Sequence, residues 1–195
     1  MRVIGLTGSL ATGKSTVAGM FAKYGAKVLN ADKVAHRLLR PGTGCYRAVI
    51  RLFGDGILRA GRVDRKAIAA RVFKDSALLA ALNLIIHPAV RKKIVDEIAG
   101  FKKKRKGVLI LDVPLLFETG LDKLTDMTIV VRSSRDKQIT RASKALGINA
   151  SEAKRRIKAQ MPLQKKIRKA DIIIDNNGTL NQTQKQVKQL WQKLQ

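Results

Sequence analysis

The sequence has little of the chemistry that builds disulfide frameworks or metal centres. Its 195 residues include one cysteine, Cys45, and two histidines. One cysteine excludes an internal disulfide and a zinc site with several cysteine ligands, and two histidines disfavour a histidine-rich metal centre. No apolar run approaches the roughly 18 residues that a membrane span needs, and the N-terminus reaches glycine too early for a signal peptide. We therefore expect a soluble protein of the cytoplasm.

Acidic residues are scarce as well, because 14 Asp and Glu stand against 40 Lys and Arg, a formal net charge of +26. Apolar residues make up 45% of the chain, which is ordinary for a globular domain and does not indicate a disordered basic tail. A positive field of this size attracts phosphorylated small molecules or nucleic acid. Aromatic residues for base stacking make up only 4%, which disfavours specific nucleic-acid recognition.

Short apolar runs alternate with segments of helical periodicity along the chain. The runs lie at about residues 3–6, 26–29, 108–111, 128–131 and 172–174. This alternation predicts an α/β fold with a parallel sheet covered on both faces. Between about 32 and 100 the chain is helical, and Pro88 is expected to start a new helix. Apolar stripes are expected at Leu78, Leu79, Leu82, Ile85 and Ile86, and at Leu180, Val187, Leu190, Trp191 and Leu194.

The strongest motif follows the first predicted strand and opens the first predicted helix. It reads Gly8-Ser9-Leu10-Ala11-Thr12-Gly13-Lys14-Ser15 and matches the phosphate-loop pattern G-x-x-x-x-G-K-[ST]. In such a loop the backbone N–H groups and the helix N-terminus face phosphate oxygens. Lys14 is predicted to reach the β- and γ-phosphates, and the Ser15 hydroxyl to ligate Mg²⁺. The sequence therefore predicts that the protein binds a nucleoside triphosphate.

Two of the few acids, Asp32 and Asp112, directly follow predicted strands at their carboxyl ends. That edge of an open α/β sheet is where ligands bind. Asp32 is suited to accept the proton of an acceptor hydroxyl or to hold a Mg²⁺-bound water, and it is also suited to cap the next helix. For Asp112 a structural or metal-orienting role and a direct substrate contact remain equally open.

The chain lacks a guanine-reading [NT]-K-x-D motif after a strand, and its length favours a small kinase.

Further blocks occur in order along essentially the whole chain. They are Gly5-Leu6-Thr7-Gly8 running into Gly13-Lys14-Ser15-Thr16, Ala31-Asp32 with Val34-Ala35, His87-Pro88, Asp112-Val113-Pro114-Leu115-Leu116-Phe117-Glu118, Gln138 with Arg141, Arg156-Ile157 with Gln160-Met161-Pro162, and Ala170-Asp171 with Asp175-Asn176. Together these blocks resemble the dephospho-CoA kinase family. Many kinases share the phosphate loop, whereas the block at 112–118 and the Arg-Ile…Gln-Met-Pro block are far more specific.

This resemblance implies ATP-dependent phosphorylation of the 3′-hydroxyl on the ribose of dephospho-CoA, the last step of coenzyme A biosynthesis. Together with the phosphate loop, which predicts a Mg²⁺ ligand at Ser15, the expected cofactor is Mg²⁺. It also implies a three-layer P-loop kinase fold whose five parallel strands lie in the order 2-3-1-4-5. On a single domain we map the core to about 1–59, 107–134 and 166–195. The helical acceptor-binding region maps to about 60–106 and the lid to about 135–165.

The resemblance also implies roles for individual residues. Asp32 matches the family's catalytic aspartate, and Arg141 matches a lid arginine that approaches the ATP phosphates, so the predicted catalytic set is Asp32, Lys14 and Arg141. Expected ATP contacts are Gly8, Ser9, Leu10, Ala11, Thr12, Gly13, Lys14, Ser15, Thr16, Arg141 and Asn176. Expected acceptor contacts are Asp32, His87, Asp112, Pro114, Leu115, Leu116, Phe117 and Glu118. For His87, a structural role at a helix boundary remains an alternative to substrate contact.

The chain departs from the family's usual pattern at several positions. Asn30 replaces the first acid of an Asp-Ala-Asp block, and Ser9 and Ala11 replace glycines of the phosphate loop. A second lid arginine, expected four residues after Arg141, is Ala145. We expect these changes to affect the geometry of the loop and the charge of the lid.

Two other functions stay open at this point. One is another small-molecule or nucleoside kinase on the same fold, which the block at 112–118 disfavours. The other is a basic ATP-binding protein associated with nucleic acid, with basic runs at 102–106, 154–158 and 165–169 on the phosphate backbone. We expect non-specific nucleic-acid binding at most.

Overall fold

The computed structural model describes residues 1–72, 75–103 and 106–194, over which strands and helices alternate. The elements are β1 (Arg2–Gly8), α1 (Lys14–Lys23), β2 (Lys27–Asn30), α2 (Ala31–Leu38), α3 (Gly44–Phe53), β3 (Leu58–Arg59), β4 (Arg62–Val63), α4 (Arg65–Val72), α5 (Ser76–Lys102), β5 (Val108–Asp112), β6 (Met127–Arg132), α6 (Arg135–Leu146), α7 (Ala150–Lys158), α8 (Leu163–Lys169), β7 (Ile172–Asp175) and α9 (Leu180–Leu194). Short 3₁₀ turns lie at Asp55–Ile57 and Leu121–Leu124.

The chain divides into two compact units. The first comprises Met1–Asn30 and the residues from Ile98 onward, and the second comprises Ala31–Glu97. The region that we mapped as acceptor-binding, about 60–106, falls largely within the second unit, and its function stays a prediction. Residues 104 and 105 of the basic run at 102–106 lie outside the described residues.

The main sheet of the first unit is entirely parallel. Its strands lie in the order β2-β5-β1-β6-β7, which is 2-3-1-4-5 when these five strands are counted along the chain. Every residue of β5 is buried, so both faces of the sheet are covered. The predicted three-layer α/β fold and its strand order are confirmed.

Helices α1 and α9 cover one face of this sheet. Their apolar side chains form one cluster with alternate residues of the strands, including Ile4, Ile110 and Ile129. Trp191 of α9 lies with its ring centroid 6.5 Å from that of Phe21, which confirms its predicted place in the core. Leu180 was expected on the same stripe but is 62% exposed, because it is the first residue of α9.

Helix α5 runs without interruption through Pro88, so the prediction that Pro88 starts a helix is wrong. Proline removes the hydrogen bond to the carbonyl four residues earlier, which here belongs to Leu84. Both Pro88 and Leu84 are exposed, so water can solvate that carbonyl. Within the described ranges no helix, α5 included, combines the length and apolar character that crossing a membrane requires.

The apolar face of α5 packs within the second unit. Leu78, Leu82, Ile85 and Ile86 lie against a core of Val49, Phe53, Ile57 and Ile68. Leu79, predicted for the same face, is 42% exposed. The second unit also contains an antiparallel pair, β3 and β4, that the sequence did not reveal because two-residue strands carry no alternating pattern.

Candidate active site

The loop between β1 and α1 has the shape of a phosphate-binding loop. Ala11 and Gly13 adopt left-handed backbone conformations with φ of 55° and 92°. The buried Thr12 hydroxyl donates a hydrogen bond to the Ser9 carbonyl at 3.0 Å, which closes the turn. The loop therefore leads into the N-terminus of α1, where unpaired amides and the helix dipole favour an anion.

Two glycines of this loop are required by close packing. A Cβ at Gly8 would lie 2.8 Å from the backbone carbonyl oxygen of Val131. A Cβ at Gly13 would overlap the side-chain amide of Asn176, and the positive φ at Gly13 already disfavours any L side chain. Packing against Val131 of β6 and against Asn176, which follows β7, thus requires glycine at both positions.

Replacing Gly13 by alanine is expected to weaken ATP binding by about tenfold or more, because the new methyl group displaces Asn176 and strains the loop. Gly19→Ala is the matched control, since Gly19 lies within α1, the helix that Gly13 caps, and a Cβ there meets nothing within 4 Å. Titration of both variants with ATP measures the difference. Equal affinities for the two variants would show that the packing at Gly13 is unimportant.

Asn176, which was expected to contact ATP, forms hydrogen bonds that support the loop. Its side chain is buried, where its Nδ2 donates to the Thr12 carbonyl at 2.8 Å and its Oδ1 accepts from the Thr183 hydroxyl at 2.9 Å. Its backbone carbonyl accepts a hydrogen bond from Arg141 Nη2 at 3.2 Å. These bonds engage both polar atoms of the Asn176 side chain, and they place Arg141 beside the loop.

Arg141 projects from α6 towards the start of α1. A Cβ built at Gly13 would lie 3.9 Å from Arg141 Nη1, which also donates to the Ser133 hydroxyl at 3.4 Å. The structure thus brings two predicted cations, Lys14 and Arg141, to the same loop. Sequence spacing alone did not show that these side chains meet, because 126 residues separate them in the chain.

Lys14 forms an ion pair with Asp112 at the end of the neighbouring strand β5. The side chains are 11% and 2% exposed, respectively. The other carboxylate oxygen of Asp112 accepts a hydrogen bond from Asn30 Nδ2 at 2.5 Å, and Asn30 and Asp112 are partners in the register of β2 and β5. Asp112 therefore holds the loop lysine, which is a structural role, and its substrate contact stays a prediction.

The block at 112–118 is hydrogen-bonded to a lysine for which the sequence predicts no role. Lys166 of α8 is fully buried, and its Nζ donates to the Pro114 carbonyl at 2.6 Å and to the Glu118 carboxylate at 2.9 Å. Burial lowers the pKa of Lys166, and its hydrogen bond to Glu118 acts in the opposite direction. The Thr7 hydroxyl also donates to the Pro114 carbonyl, at 3.0 Å. Pro114 and Glu118 therefore bind α8 to the core.

The apolar residues of this block differ in exposure. Leu116 is fully buried and would lie 2.7 Å from a Cβ at Gly5, so its side chain packs the core in place of the acceptor contact predicted for it. Leu115 and Phe117 are partly exposed, and Lys169 Nζ lies 5.9 Å from the centroid of the Phe117 ring. Of these three side chains, Leu115 and Phe117 have surface with which to meet a ligand.

Asp32 and His87 belong to the second unit. Asp32 is exposed in the first turn of α2, which begins at Ala31, so Asp32 follows the first helical residue and is not the N-cap. His87 is exposed in the middle of α5 and does not mark a helix boundary. The predicted roles of Asp32 in catalysis and of His87 in acceptor binding stay predictions.

The residues present fit a magnesium ion held chiefly by phosphate oxygens. Ser15 is exposed in the first turn of α1, directly after Lys14. In the described part of the chain no three His, Cys, Asp or Glu residues cluster as a cation site. Mg²⁺ needs no such cage, since it keeps several waters and binds through few protein oxygens plus substrate phosphates.

Sequence reasoning missed three supporting residues of this site. Lys166 lies in a basic run that looks like a solvated helix face, and only its burial distinguishes it. Thr183 hydrogen-bonds Asn176 from α9. Gln160 contacts the loop, and its place in the Arg-Ile…Gln-Met-Pro block was the one sequence signal for it.

Comparison with known proteins identifies the family of the chain. The family model described as dephospho-CoA kinase matches residues 2–182. A dephospho-CoA kinase of Symbiobacterium thermophilum is 43% identical over 98% of this chain and 80% of its own length.

Solved structures are similar to this chain in both fold and sequence. The crystal structure of TT1252 from Thermus thermophilus is 31% identical with a TM-score of 0.83, covering 100% of this chain and 98% of that one. The dephospho-CoA kinase from Campylobacter jejuni is 26% identical with a TM-score of 0.75, covering 98% and 96%. With its motifs in order and matched nearly end to end, the chain belongs to the dephospho-CoA kinase family.

Proposed function

We propose that this protein transfers the γ-phosphoryl group of ATP to the 3′-hydroxyl on the ribose of dephospho-CoA, which gives coenzyme A and ADP. The observation that carries the proposal is the phosphate loop with Lys14 and Arg141 beside it, in a chain that belongs to this kinase family. Phosphoryl transfer needs positioning and charge neutralisation more than covalent chemistry from the protein. The loop supplies the positioning, and Lys14 and Arg141 supply the charge neutralisation.

The loop amides and the two cations act on the triphosphate. The N–H groups at the start of α1 face the β-phosphate, and Lys14 moves from Asp112 towards the β- and γ-phosphates as they bind. Arg141 stabilises the charge that develops on the transferred group. Ser15 would hold a Mg²⁺ ion, which would neutralise further charge on the triphosphate.

Asp32 acts on the acceptor. Its carboxylate takes the proton of the 3′-hydroxyl while that oxygen bonds to the γ-phosphorus. The bond from the γ-phosphorus to the β–γ bridging oxygen breaks, and ADP leaves with the electron pair. The proton then passes from Asp32 to solvent. A general base of this kind contributes typically 10²- to 10⁴-fold.

The basic surface suits substrates that both carry polyphosphates. A net charge of +26 raises their encounter rate at low ionic strength. The same field permits weak, salt-sensitive contact with nucleic acid, but we expect no specific nucleic-acid partner. We expect the protein to act in the cytoplasm.

A substrate panel tests this function. ADP release is followed with ATP and Mg²⁺ alone and after separate additions of dephospho-CoA, nucleoside monophosphates, nucleosides and DNA. Only dephospho-CoA is expected to stimulate turnover, and the product should carry the new phosphate on the 3′-oxygen. Stimulation by a nucleoside or a nucleoside monophosphate instead would identify another small-molecule kinase. Stimulation by DNA would identify a nucleic-acid-associated ATPase.

A further inference from the structure

The segment between α7 and α8, residues 159–162, reaches back to the phosphate loop. We call it the connector. The Oε1 atom of Gln160 accepts a hydrogen bond from the Leu10 backbone N–H at 3.0 Å and one from the Ser9 hydroxyl at 3.3 Å. One glutamine oxygen thus binds two consecutive residues of the loop. No role in catalysis or binding predicted from the sequence accounts for this contact.

The connector is itself held in place by the core. The Met161 backbone N–H donates to the Glu118 carboxylate at 3.0 Å, and the same carboxylate pairs with Lys166. Lys166 has no exposed surface and also donates a hydrogen bond to the carbonyl of Pro114, two residues beyond the end of β5. The backbone next to Gln160 is therefore anchored, so its side chain acts on the loop from a fixed point.

The loop of this chain has a specific need for such support. Ala11 holds a left-handed conformation with φ of 55°, which costs free energy for any residue but glycine. Leu10 directly precedes this strained residue. A bond from Gln160 to the Leu10 amide therefore opposes relaxation of the loop at the point where strain is stored. The Ser9 hydroxyl, which a glycine would lack, supplies the second bond.

We propose that Gln160 is a positioning residue that holds the phosphate loop ready for ATP. It engages the amide of Leu10 and leaves the amides of Gly13, Lys14 and Ser15 at the start of α1 for the phosphates. This inference rests on the proposed function, since ATP is the ligand for which the loop is shaped. It also means that the predicted lid, about 135–165, which contains the connector, contributes to ATP affinity through the loop.

Gln160→Met tests the proposal, because methionine keeps the length of the side chain and removes the acceptor oxygen. Gln164→Met is the matched control, since Gln164 is an exposed glutamine four residues further along. Ser9→Ala and the double variant Ser9→Ala/Gln160→Met complete a thermodynamic cycle. The measurements are the Kd for ATP by calorimetric titration, the KM for dephospho-CoA, and the Tm of each variant.

Loss of two hydrogen bonds is expected to raise the Kd for ATP about tenfold in Gln160→Met, while the KM for dephospho-CoA and the Tm match those of Gln164→Met. Ser9→Ala alone is expected to raise the Kd about threefold and to have no further effect in the Gln160→Met background. A Kd equal to the control, a Kd below it, a loss of Tm without loss of affinity, or additive effects would each overturn the proposal. If the unaltered protein binds no ATP, the proposed function itself is wrong. If the unaltered protein binds ATP and one of these contrary results is found, only the role of Gln160 is wrong.

Discussion

Replacing Lys14 by methionine is expected to lower kcat/KM by about 10²- to 10³-fold, the usual cost of removing one preorganised charge from a transition state. Lys14 opens α1 at the phosphate loop, and its ammonium group is nearly buried against Asp112. Methionine keeps the aliphatic stem but cannot follow the γ-phosphoryl group as its charge redistributes. Steady-state kinetics with ATP and dephospho-CoA measure the loss.

The same substitution also affects stability, and the two effects can be separated. Without Lys14, the carboxylate of Asp112, which is 2% exposed, keeps Asn30 as a hydrogen-bond donor but loses its counter-charge. Breaking a buried pair from one side costs about 3 kcal/mol in the free energy of unfolding. The double variant Lys14→Met/Asp112→Asn removes the uncompensated charge and is expected to recover most of that stability. It should not recover activity, because the ammonium group is still missing.

Lys23→Met is the control for this prediction, since Lys23 is an exposed lysine at the other end of the same helix. It should leave kcat/KM and the free energy of unfolding unchanged. If the double variant regained activity together with stability, Lys14 would serve only to neutralise Asp112. Its contact with the triphosphate would then be refuted.

The parts of the site that follow from local sequence were predictable. The phosphate loop is a contiguous motif whose glycines satisfy backbone and packing requirements at Gly8 and Gly13. Strand β5 was recognisable because an uninterrupted apolar run is typical of a strand buried on both faces. The strand order came from the resemblance and not from periodicity, because pairing between distant strands leaves no local signal.

The parts that depend on tertiary contact were not predictable. Lys166 has the same sequence environment as the exposed lysines around it, and its bonds to the Glu118 carboxylate and the Pro114 carbonyl make its burial possible. At Pro88 a strong local signal for the start of a helix was misleading. The helix continues through Pro88, and the carbonyl that loses its hydrogen bond faces water. Leu116 was assigned to the acceptor on its place in a motif, yet it fills space against Gly5.

Asp32→Asn is expected to lower kcat by about 10²- to 10⁴-fold while the Kd for ATP stays within about threefold of the unaltered protein. Asparagine has nearly the same shape as aspartate but cannot accept the proton of the 3′-hydroxyl. Asp32 also lies in the first turn of α2, where a negative charge stabilises a helix by about 0.3–1 kcal/mol. A purely structural role for Asp32 therefore predicts a small loss of stability and nearly normal turnover. A role as general base predicts a large loss of turnover instead.

Asp96→Asn provides the comparison, because Asp96 is an exposed carboxylate on α5 in the same compact unit. This substitution removes the same charge from the protein as Asp32→Asn. Its kcat should be normal, which would show that the loss in Asp32→Asn does not come from net charge. The decisive measurement is a single-turnover assay with both substrates bound, since it reports phosphoryl transfer without product release. A rate for Asp32→Asn within about threefold of the unaltered protein would remove Asp32 from the chemical step, and the proton would then have to leave the 3′-hydroxyl directly to water.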